Sequence, residues 1–157
     1  MKIADFVQDS IVDGPGFRFT LFTQGCPHHC PGCHNPITWD ENGGLPFDEA
    51  AKEEIFTELA KDYVSGVTFS GGDPLYPANR EQVGALAREV HARFPGKTIW
   101  LYTGYLFDND IMEKMLNTLP YTKELVSYID VLVDGPFIED KKNLNLQFRG
   151  SENQRII

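Results

Sequence analysis

All three cysteines of the chain lie within residues 26–33, Cys-Pro-His-His-Cys-Pro-Gly-Cys, where they are spaced C-x3-C-x2-C. Thiolates are ligands for zinc and for iron–sulfur clusters, and three on one short loop could bind either group. They fall one short of a closed four-thiolate site. A 4Fe–4S cluster held by Cys26, Cys30 and Cys33 would leave one iron without a protein ligand and free to bind a small molecule.

A zinc site is the alternative interpretation of this loop. The three cysteines with one of His28, His29 or His34 would make a structural Cys3His site. A disulfide framework is excluded, because an odd number of cysteines in so tight a group leaves one unpaired. Colour would separate the two metal sites, since a protein with an iron–sulfur cluster is brown and the zinc form is colourless.

Length and composition are those of an ordinary globular protein. The 157 residues, 41% hydrophobic and 24% charged, are most simply one domain spanning 1–157. We see no apolar signal region at the start and no stretch of membrane-spanning length, and with cysteines available for metal binding we expect a cytoplasmic location. The net charge of -9 argues against a nucleic-acid or anionic-membrane surface, because such surfaces rely on clustered Lys and Arg.

Predicted strands alternate with predicted helices along the chain. Runs rich in β-branched and aromatic residues predict strands over residues 17–23, 64–69, 98–103 and 128–133. Apolar residues at helical spacing predict helices from an N-cap at Asp48 to about residue 63, over residues 79–94, and from a cap at Asp108 through Ile111, Met115 and Leu116. Residues 137–157 are polar and ambiguous, with 144–148 as a candidate edge strand.

This alternation predicts an α/β fold of parallel strands joined by right-handed crossovers. Ligand sites in such folds gather at the carboxyl ends of the strands. Each unusual motif directly follows a predicted strand, and we expect one rim to carry the cysteine loop, residues 70–73, residues 103–104 and residues 134–136. A closed eight-stranded barrel takes about 250 residues. We therefore expect a small, partial, open TIM-like barrel with one side of the site uncovered.

The cysteine spacing, together with the Gly-Gly-Asp-Pro of residues 71–74, resembles the radical S-adenosylmethionine (radical SAM) enzymes, which are built on such partial barrels. In that family the open iron chelates the amino and carboxylate groups of S-adenosylmethionine. The resemblance implies both cofactors here, with the metal held by the three cysteines. It places Gly71, Gly72 and Asp73 at the methionyl end, where glycines permit close approach of the cofactor and backbone groups can hold its ammonium. The family usually has Gly-Gly-Glu, and a contact made by the backbone does not depend on the change to Asp73.

Most radical SAM enzymes place an aromatic residue just before the third cysteine, where it packs on the adenine, and this chain has Gly32. The resemblance therefore leaves the adenine side to the backbone of Gly32 and Cys33, with His34 as a possible substitute for the aromatic ring. His28 and His29 are predicted to face solvent. We expect no catalytic acid or base, because hydrogen abstraction by a radical needs none.

Further motifs resemble one branch of that family, the glycyl-radical-enzyme activases. Residues 12–18, Val-Asp-Gly-Pro-Gly-Phe-Arg, resemble its DGPGxR segment. Residues 30–36, Trp39, 70–75, 100–105 and 149–151 extend the likeness to the activases of anaerobic ribonucleoside-triphosphate reductases. The likeness implies a radical placed on a glycine of the reductase large subunit, with an external one-electron donor such as flavodoxin. Asp13 is our candidate for guiding the glycine loop.

Two other functions compete with this one. A small-molecule radical SAM enzyme, such as the deazaguanine-forming synthase, usually has a longer stretch between its first two cysteines. A non-enzymatic zinc or iron–sulfur binding module has no use for an open iron or for a glycine-rich rim.

Overall fold

A computed structural model describes residues 1–119 and 121–157. Its strands are β1 (Lys2–Ser10), β2 (Phe17–Thr23), β3 (Leu45–Pro46), β4 (Val64–Gly71), β5 (Thr98–Tyr102), β6 (Val131–Asp134) and β7 (Arg155–Ile156). They form one open sheet in the order β3-β1-β2-β4-β5-β6-β7. The predicted α/β class and the open, unclosed arrangement of strands are therefore confirmed.

Only the four central strands run parallel. β2, β4, β5 and β6 pair in parallel register, as the alternation of strands and helices predicts. β1 is antiparallel to β2, β3 is antiparallel to β1, and β7 is antiparallel to β6. The prediction of parallel strands is thus correct for the centre of the sheet and wrong for its borders.

Helices fill the connections between the parallel strands. They are α1 (Glu49–Leu59), α2 (Pro77–Arg93), a π-helical segment (Phe107–Met115) that continues into α3 (Leu116–Thr118), and α4 (Thr122–Ser127), with short 3-10 helices at Pro36–Thr38 and Glu139–Lys141. Asp48 caps α1 by accepting a hydrogen bond from the Ala51 backbone at 2.9 Å, as predicted. The predicted cap at Asp108 is wrong, because Leu106 precedes the π-helical segment and Asp108 pairs with Arg155.

The sheet has a helix face and a cleft face, because successive side chains of a strand point to opposite sides. The helix face is apolar and fully buried, with Phe19, Leu21, Val67, Phe69, Ile99 and Leu101 in the core formed with α1, α2 and α4. The cleft face includes Phe22, Ser70 and Tyr102. Within the described residues, we find no helix that is both long and apolar enough to cross a membrane.

Several elements differ from the sequence predictions. β3, α4 and β7 are absent from the predictions, and the strand predicted over residues 128–133 is β6, which begins at Val131. The predictions also lack β1, because register shifts between Ile3 and Asp5 and between Val7 and Ser10 interrupt the alternation that marks a strand. The candidate strand at residues 144–148 is wrong. That stretch is a loop, and the last strand of the sheet is β7.

Candidate functional site

The carboxyl ends of the parallel strands open into a cleft of about 490 Å³, a volume typical of small-molecule sites. Every motif that was predicted to share one rim contributes to its lining. The lining includes Cys26, Cys30, Cys33, Ser70, Gly71, Gly72, Thr103, Gly104, Gly135 and Pro136. The prediction of a common rim is therefore confirmed.

The cysteine loop is closed at its base. The backbone N–H of Gly25 donates to the carbonyl of Thr38 at 2.6 Å. The buried side chain of Gln24 donates to two carbonyl oxygens within residues 37–40, at 2.7 and 2.8 Å. The loop thus leaves and returns at one point beyond the end of β2, and its conformation is fixed by backbone contacts rather than by a metal alone.

The second half of the loop is a tight turn over Cys30-Pro31-Gly32-Cys33. The N–H of Cys33 donates to the carbonyl of Cys30 at 3.1 Å, and Gly32 has a φ of +77°. Proline followed by a left-handed glycine is the pattern of a type II turn. A Cβ at Gly32 would also lie 3.0 Å from the carboxyl carbon of Glu139. The turn therefore requires glycine at position 32.

The three thiols are partly buried in the wall of the cleft. Burial raises the pKa of Cys26 to about 11 and also raises the pKa of Cys30, so metal binding must release protons from these thiols. Among residues 1–119 and 121–157, no three His, Cys, Asp or Glu side chains are placed to hold a single metal ion. A 4Fe–4S cluster requires a different arrangement, with each thiolate on its own iron. Three thiols on one cleft wall fit that group.

Gly71 and Gly72 pack against the backbone of the chain itself. Gly71 has a φ of +109°, where any side chain is strained, and a Cβ on Gly72 would overlap the carbonyl oxygen of Gly25. The N–H of Gly72 donates to the carbonyl of Thr23 at 2.8 Å. The sequence-based explanation was close approach of a cofactor. In the structure these glycines also allow the end of β4 to pack closely against the start of the cysteine loop.

Asp73 is completely buried, and donors of the protein surround its carboxylate. Oδ1 accepts from the N–H of Leu75 at 2.9 Å, and Oδ2 accepts from the N–H of Gly104 at 3.0 Å. The hydroxyl of Thr103 lies 2.9 Å from both oxygens, and Nε2 of His28 lies 2.7 Å from Oδ2. The backbone is engaged as well, because the N–H of Asp73 donates to the carbonyl of Gly25 at 2.8 Å and its carbonyl accepts from the N–H of Tyr76 and from Nδ2 of Asn79, both at 3.0 Å. A cofactor contact of Asp73 stays a prediction.

The prediction that His28 faces solvent is wrong. Its side chain is only 17% exposed, and its ring lies edge-on to Tyr105 with 4.6 Å between the centroids. A Cβ on Gly104 would overlap this ring, so only glycine fits beneath it. Sequence reasoning missed the contact because its partner, Asp73, is 45 positions away.

His29 and His34 are exposed on the same loop. His29 stacks on Trp39 with 4.6 Å between the ring centroids. His34 lines the cleft and packs against Phe137 at 5.4 Å. The structure thus places His34 beside the cleft, together with an aromatic ring that the sequence did not single out. Its contact with a bound cofactor stays a prediction.

The C-terminal segment, ambiguous in sequence, forms part of the cleft lining through Phe137, Phe148 and Arg149. Phe148 lies edge-on to Trp100, with 5.4 Å between the centroids. Among the described residues, neither Nε of Arg149 nor Oη of Tyr102 has a hydrogen-bond partner, although both atoms are buried. Buried polar atoms are normally paired. These two atoms beside the cleft are therefore suited to a polar ligand.

Asp13 lies at the edge of the cleft, but its carboxylate is engaged within the protein. One oxygen accepts from the hydroxyls of Ser10 and Thr20 at 2.8 and 3.1 Å, and its carbonyl accepts from Thr68 at 2.8 Å. These bonds fix the connection between β1 and β2. A role for Asp13 in guiding a glycine loop stays a prediction.

The sequence was compared with those of known proteins. The family described as "4Fe-4S single cluster domain" matches residues 12–157. The anaerobic ribonucleoside-triphosphate reductase-activating protein of Salmonella typhi is 42% identical, over 99% of this chain and 97% of its own length. The protein of that name from Escherichia coli (strain K12) is 43% identical with the same coverage. The one from Enterobacteria phage T4 is 44% identical over 92% of this chain and 86% of its own length.

Proposed function

The chain belongs to the family of anaerobic ribonucleoside-triphosphate reductase-activating proteins, and on that premise we propose that it activates such a reductase by a radical SAM reaction. The proposed cofactors are S-adenosylmethionine and a 4Fe–4S cluster on Cys26, Cys30 and Cys33. The proposed substrate is a glycine of the reductase large subunit. An external one-electron donor such as flavodoxin supplies the electron, and the reaction belongs in the reducing cytoplasm.

The observation that carries this proposal is the lining of the cleft, where all three thiols lie with the glycine rim that follows β4. Cys26, Cys30 and Cys33 would hold the cluster, which would supply the electron for reductive cleavage of S-adenosylmethionine and so the radical chemistry that takes a hydrogen atom from the glycine. The chain would ligate the cluster, orient S-adenosylmethionine and exclude side reactions. Its glycine backbone at residues 71–72 offers contacts for the methionyl end, which supports assigning the radical SAM type of partial barrel to this open sheet.

Other groups at the cleft suit the polar and planar parts of S-adenosylmethionine. The unpaired Tyr102 Oη and Arg149 Nε offer hydrogen bonds to a ligand. Phe137 and the exposed His34 offer ring surfaces for the adenine, in place of the aromatic residue that Gly32 replaces. No proton-transfer step is required of Asp73 or His28, because hydrogen-atom abstraction by a radical needs no general acid or base.

A macromolecular substrate suits an open sheet. The cleft is lined on one side by the connection between β1 and β2, including Val12, which is 69% exposed, and elsewhere by the C-terminal segment from Leu146 to Gly150. A glycine carried on a loop of the large subunit has to come close to C5′. An opening between loops, in place of a closed barrel mouth, permits that approach.

The test combines the anaerobically reconstituted and reduced protein with S-adenosylmethionine and the large subunit. We expect a persistent glycyl radical on the large subunit by electron paramagnetic resonance, and transfer of deuterium from the labelled glycine into 5′-deoxyadenosine. Cys33→Ala is the matched control and should give neither signal. If wild-type protein with a verified cluster gives no radical and no label transfer, the activase function is wrong and a small-molecule substrate must be sought.

A further inference from the structure

One side chain of the cysteine loop reaches the neighbouring strand ends. His28 lies between the first two cysteines, and its Nε2 is 2.7 Å from Oδ2 of Asp73, which follows β4. The same carboxylate accepts from the hydroxyl of Thr103 and the N–H of Gly104, which follow β5. A single buried carboxylate therefore joins the cysteine loop to the ends of two strands.

The surroundings of this contact leave the His28 ring little freedom. The ring fits over Gly104, where any Cβ would overlap it, and lies edge-on to Tyr105. The carboxylate of Asp73 has no exposure to water, so each lost donor costs it a hydrogen bond that solvent cannot replace. Among the described residues, His28 is the only donor to this carboxylate that comes from the cysteine loop.

We propose that His28 and Asp73 are positioning residues that set the place of the cysteine loop relative to the ends of β4 and β5. They therefore also set the place of a cluster bound to that loop, and in this respect the inference rests on the proposed function. Outer hydrogen bonds that hold metal ligands in place typically change metal affinity by about 10- to 100-fold when they are removed. The role concerns geometry and involves no proton transfer.

Three variants isolate the hydrogen bond from the packing. His28→Phe keeps a ring against Tyr105 but removes the donor. His28→Gln keeps a donor at the end of a side chain of similar reach. His29→Phe is the matched control, because His29 lies between the same two cysteines, is exposed, and keeps its ring stacking on Trp39 after the change.

The first measurement is amide hydrogen exchange over residues 26–33 in the metal-free full chain. We expect exchange about tenfold faster in His28→Phe, with the wild-type rate in His29→Phe and a rate near it in His28→Gln. The second measurement follows anaerobic reconstitution. We expect about tenfold faster loss of iron to a chelator and a shifted midpoint potential in His28→Phe alone.

Asp73→Asn tests the other end of the contact. An asparagine amide would place its NH2 group either at the Oδ2 position, against the N–H of Gly104 and Nε2 of His28, or at the Oδ1 position, against the N–H of Leu75, so that donor meets donor in either orientation. We expect faster exchange over residues 26–33 here too, although the change replaces only one atom.

Neither measurement needs S-adenosylmethionine or the reductase, so the two hypotheses can fail separately. If His28→Phe behaves as expected while wild-type protein makes no glycyl radical, the positioning role stands and the activase function fails. If the wild type makes the radical but His28→Phe matches His29→Phe in exchange, iron retention and potential, the positioning role is overturned.

Discussion

Arg18 at the start of β2 and Asp73 just beyond the end of β4 are completely buried charged side chains near opposite ends of the parallel strands. Arg18 donates to the carbonyl oxygens of Val67 and Thr98 at 2.9 and 2.7 Å, and to the hydroxyl of Thr68 at 2.9 Å. Its partners therefore belong to β4 and β5 themselves. The partners of Asp73 belong to the loops that follow those strands.

Because their partners differ, we assign Arg18 to the stability of the sheet and Asp73 to the positioning of the site residues. Burial lowers the pKa of Arg18 to about 10, which leaves the guanidinium charged at neutral pH, and it donates to carbonyl and hydroxyl oxygens of the two strands. Those acceptors cannot move without breaking the sheet. The loops around Asp73 could move while the sheet stays intact, so that the contacts of Asp73 decide where the site residues lie rather than whether the chain folds.

The largest expected effect comes from removing a thiol at the carboxyl end. We expect Cys26→Ala, Cys30→Ala and Cys33→Ala each to abolish stable binding of the cluster, because only two thiolates remain. The free energy of unfolding of the metal-free protein should change by no more than about 1 kcal/mol, since the thiols lie outside the apolar core. Iron content after anaerobic reconstitution checks the loss of the cluster, and urea unfolding checks the small change in the free energy of unfolding. A variant with full iron content would contradict the three-ligand assignment.

At the opposite end of the parallel strands, a substitution of Arg18 should lower the stability of the protein. We expect Arg18→Met to lower the free energy of unfolding by roughly 3–5 kcal/mol, because buried carbonyl groups lose their donor. Arg88→Met is the matched control. Arg88 is 56% exposed and pairs with Glu124 at the surface, so its loss should be at most about 1 kcal/mol. Equal losses in urea unfolding would show that Arg18 does not lock the strands.

Sequence patterns predicted the parts of this molecule that depend on neighbours along the chain. The strand at residues 17–23 and the N-cap at Asp48 follow from local periodicity and local hydrogen bonding, and both are present. β1 was missed because its bulges break the local alternation. Where the local pattern is regular, prediction succeeds, and where the backbone departs from it, prediction fails.

Contacts between distant residues lay beyond sequence reasoning. The motif placed Asp73 near the cofactor, and it gave the side-chain carboxylate no partner within the protein. Nothing in the local sequence indicates that His28 and Thr103 converge on it. Likewise, residues 149–151 were singled out only for their likeness to the activases, and nothing in the sequence indicated that Phe148 and Arg149 line the cleft.

A smaller effect is expected at Gly72, which the sequence predicts to contact the cofactor and which packs against the backbone of Gly25 in the structure. We expect Gly72→Ala to lower the free energy of unfolding of the metal-free protein by about 1–3 kcal/mol, because its Cβ overlaps the backbone of Gly25. Gly96→Ala is the matched control, since a Cβ there meets nothing within 4 Å, and it should stay within about 0.5 kcal/mol. If Gly72→Ala weakens only binding of S-adenosylmethionine and leaves unfolding unchanged, the glycine serves the cofactor alone.

The smallest effect is expected from a charge that remains in water. Asp108 is 61% exposed and accepts two hydrogen bonds from Arg155, which also contacts the buried Asp134. The hydrogen bonds from Arg155 lower the pKa of Asp108 to about 2, against an ordinary value of 3.8. A carboxyl with a depressed folded-state pKa stabilises the folded state above its unfolded pKa, and that contribution is lost as the pH falls toward 2.

The urea midpoint of Asp108→Asn should therefore lie slightly below that of the wild type above pH 4, and the two should converge near pH 2. Because water and salt screen this pair, the gap should also shrink at high ionic strength. A gap that is independent of pH would show that the side chain acts through packing, and the contrast between buried and exposed charges in this molecule would then lose its electrostatic basis.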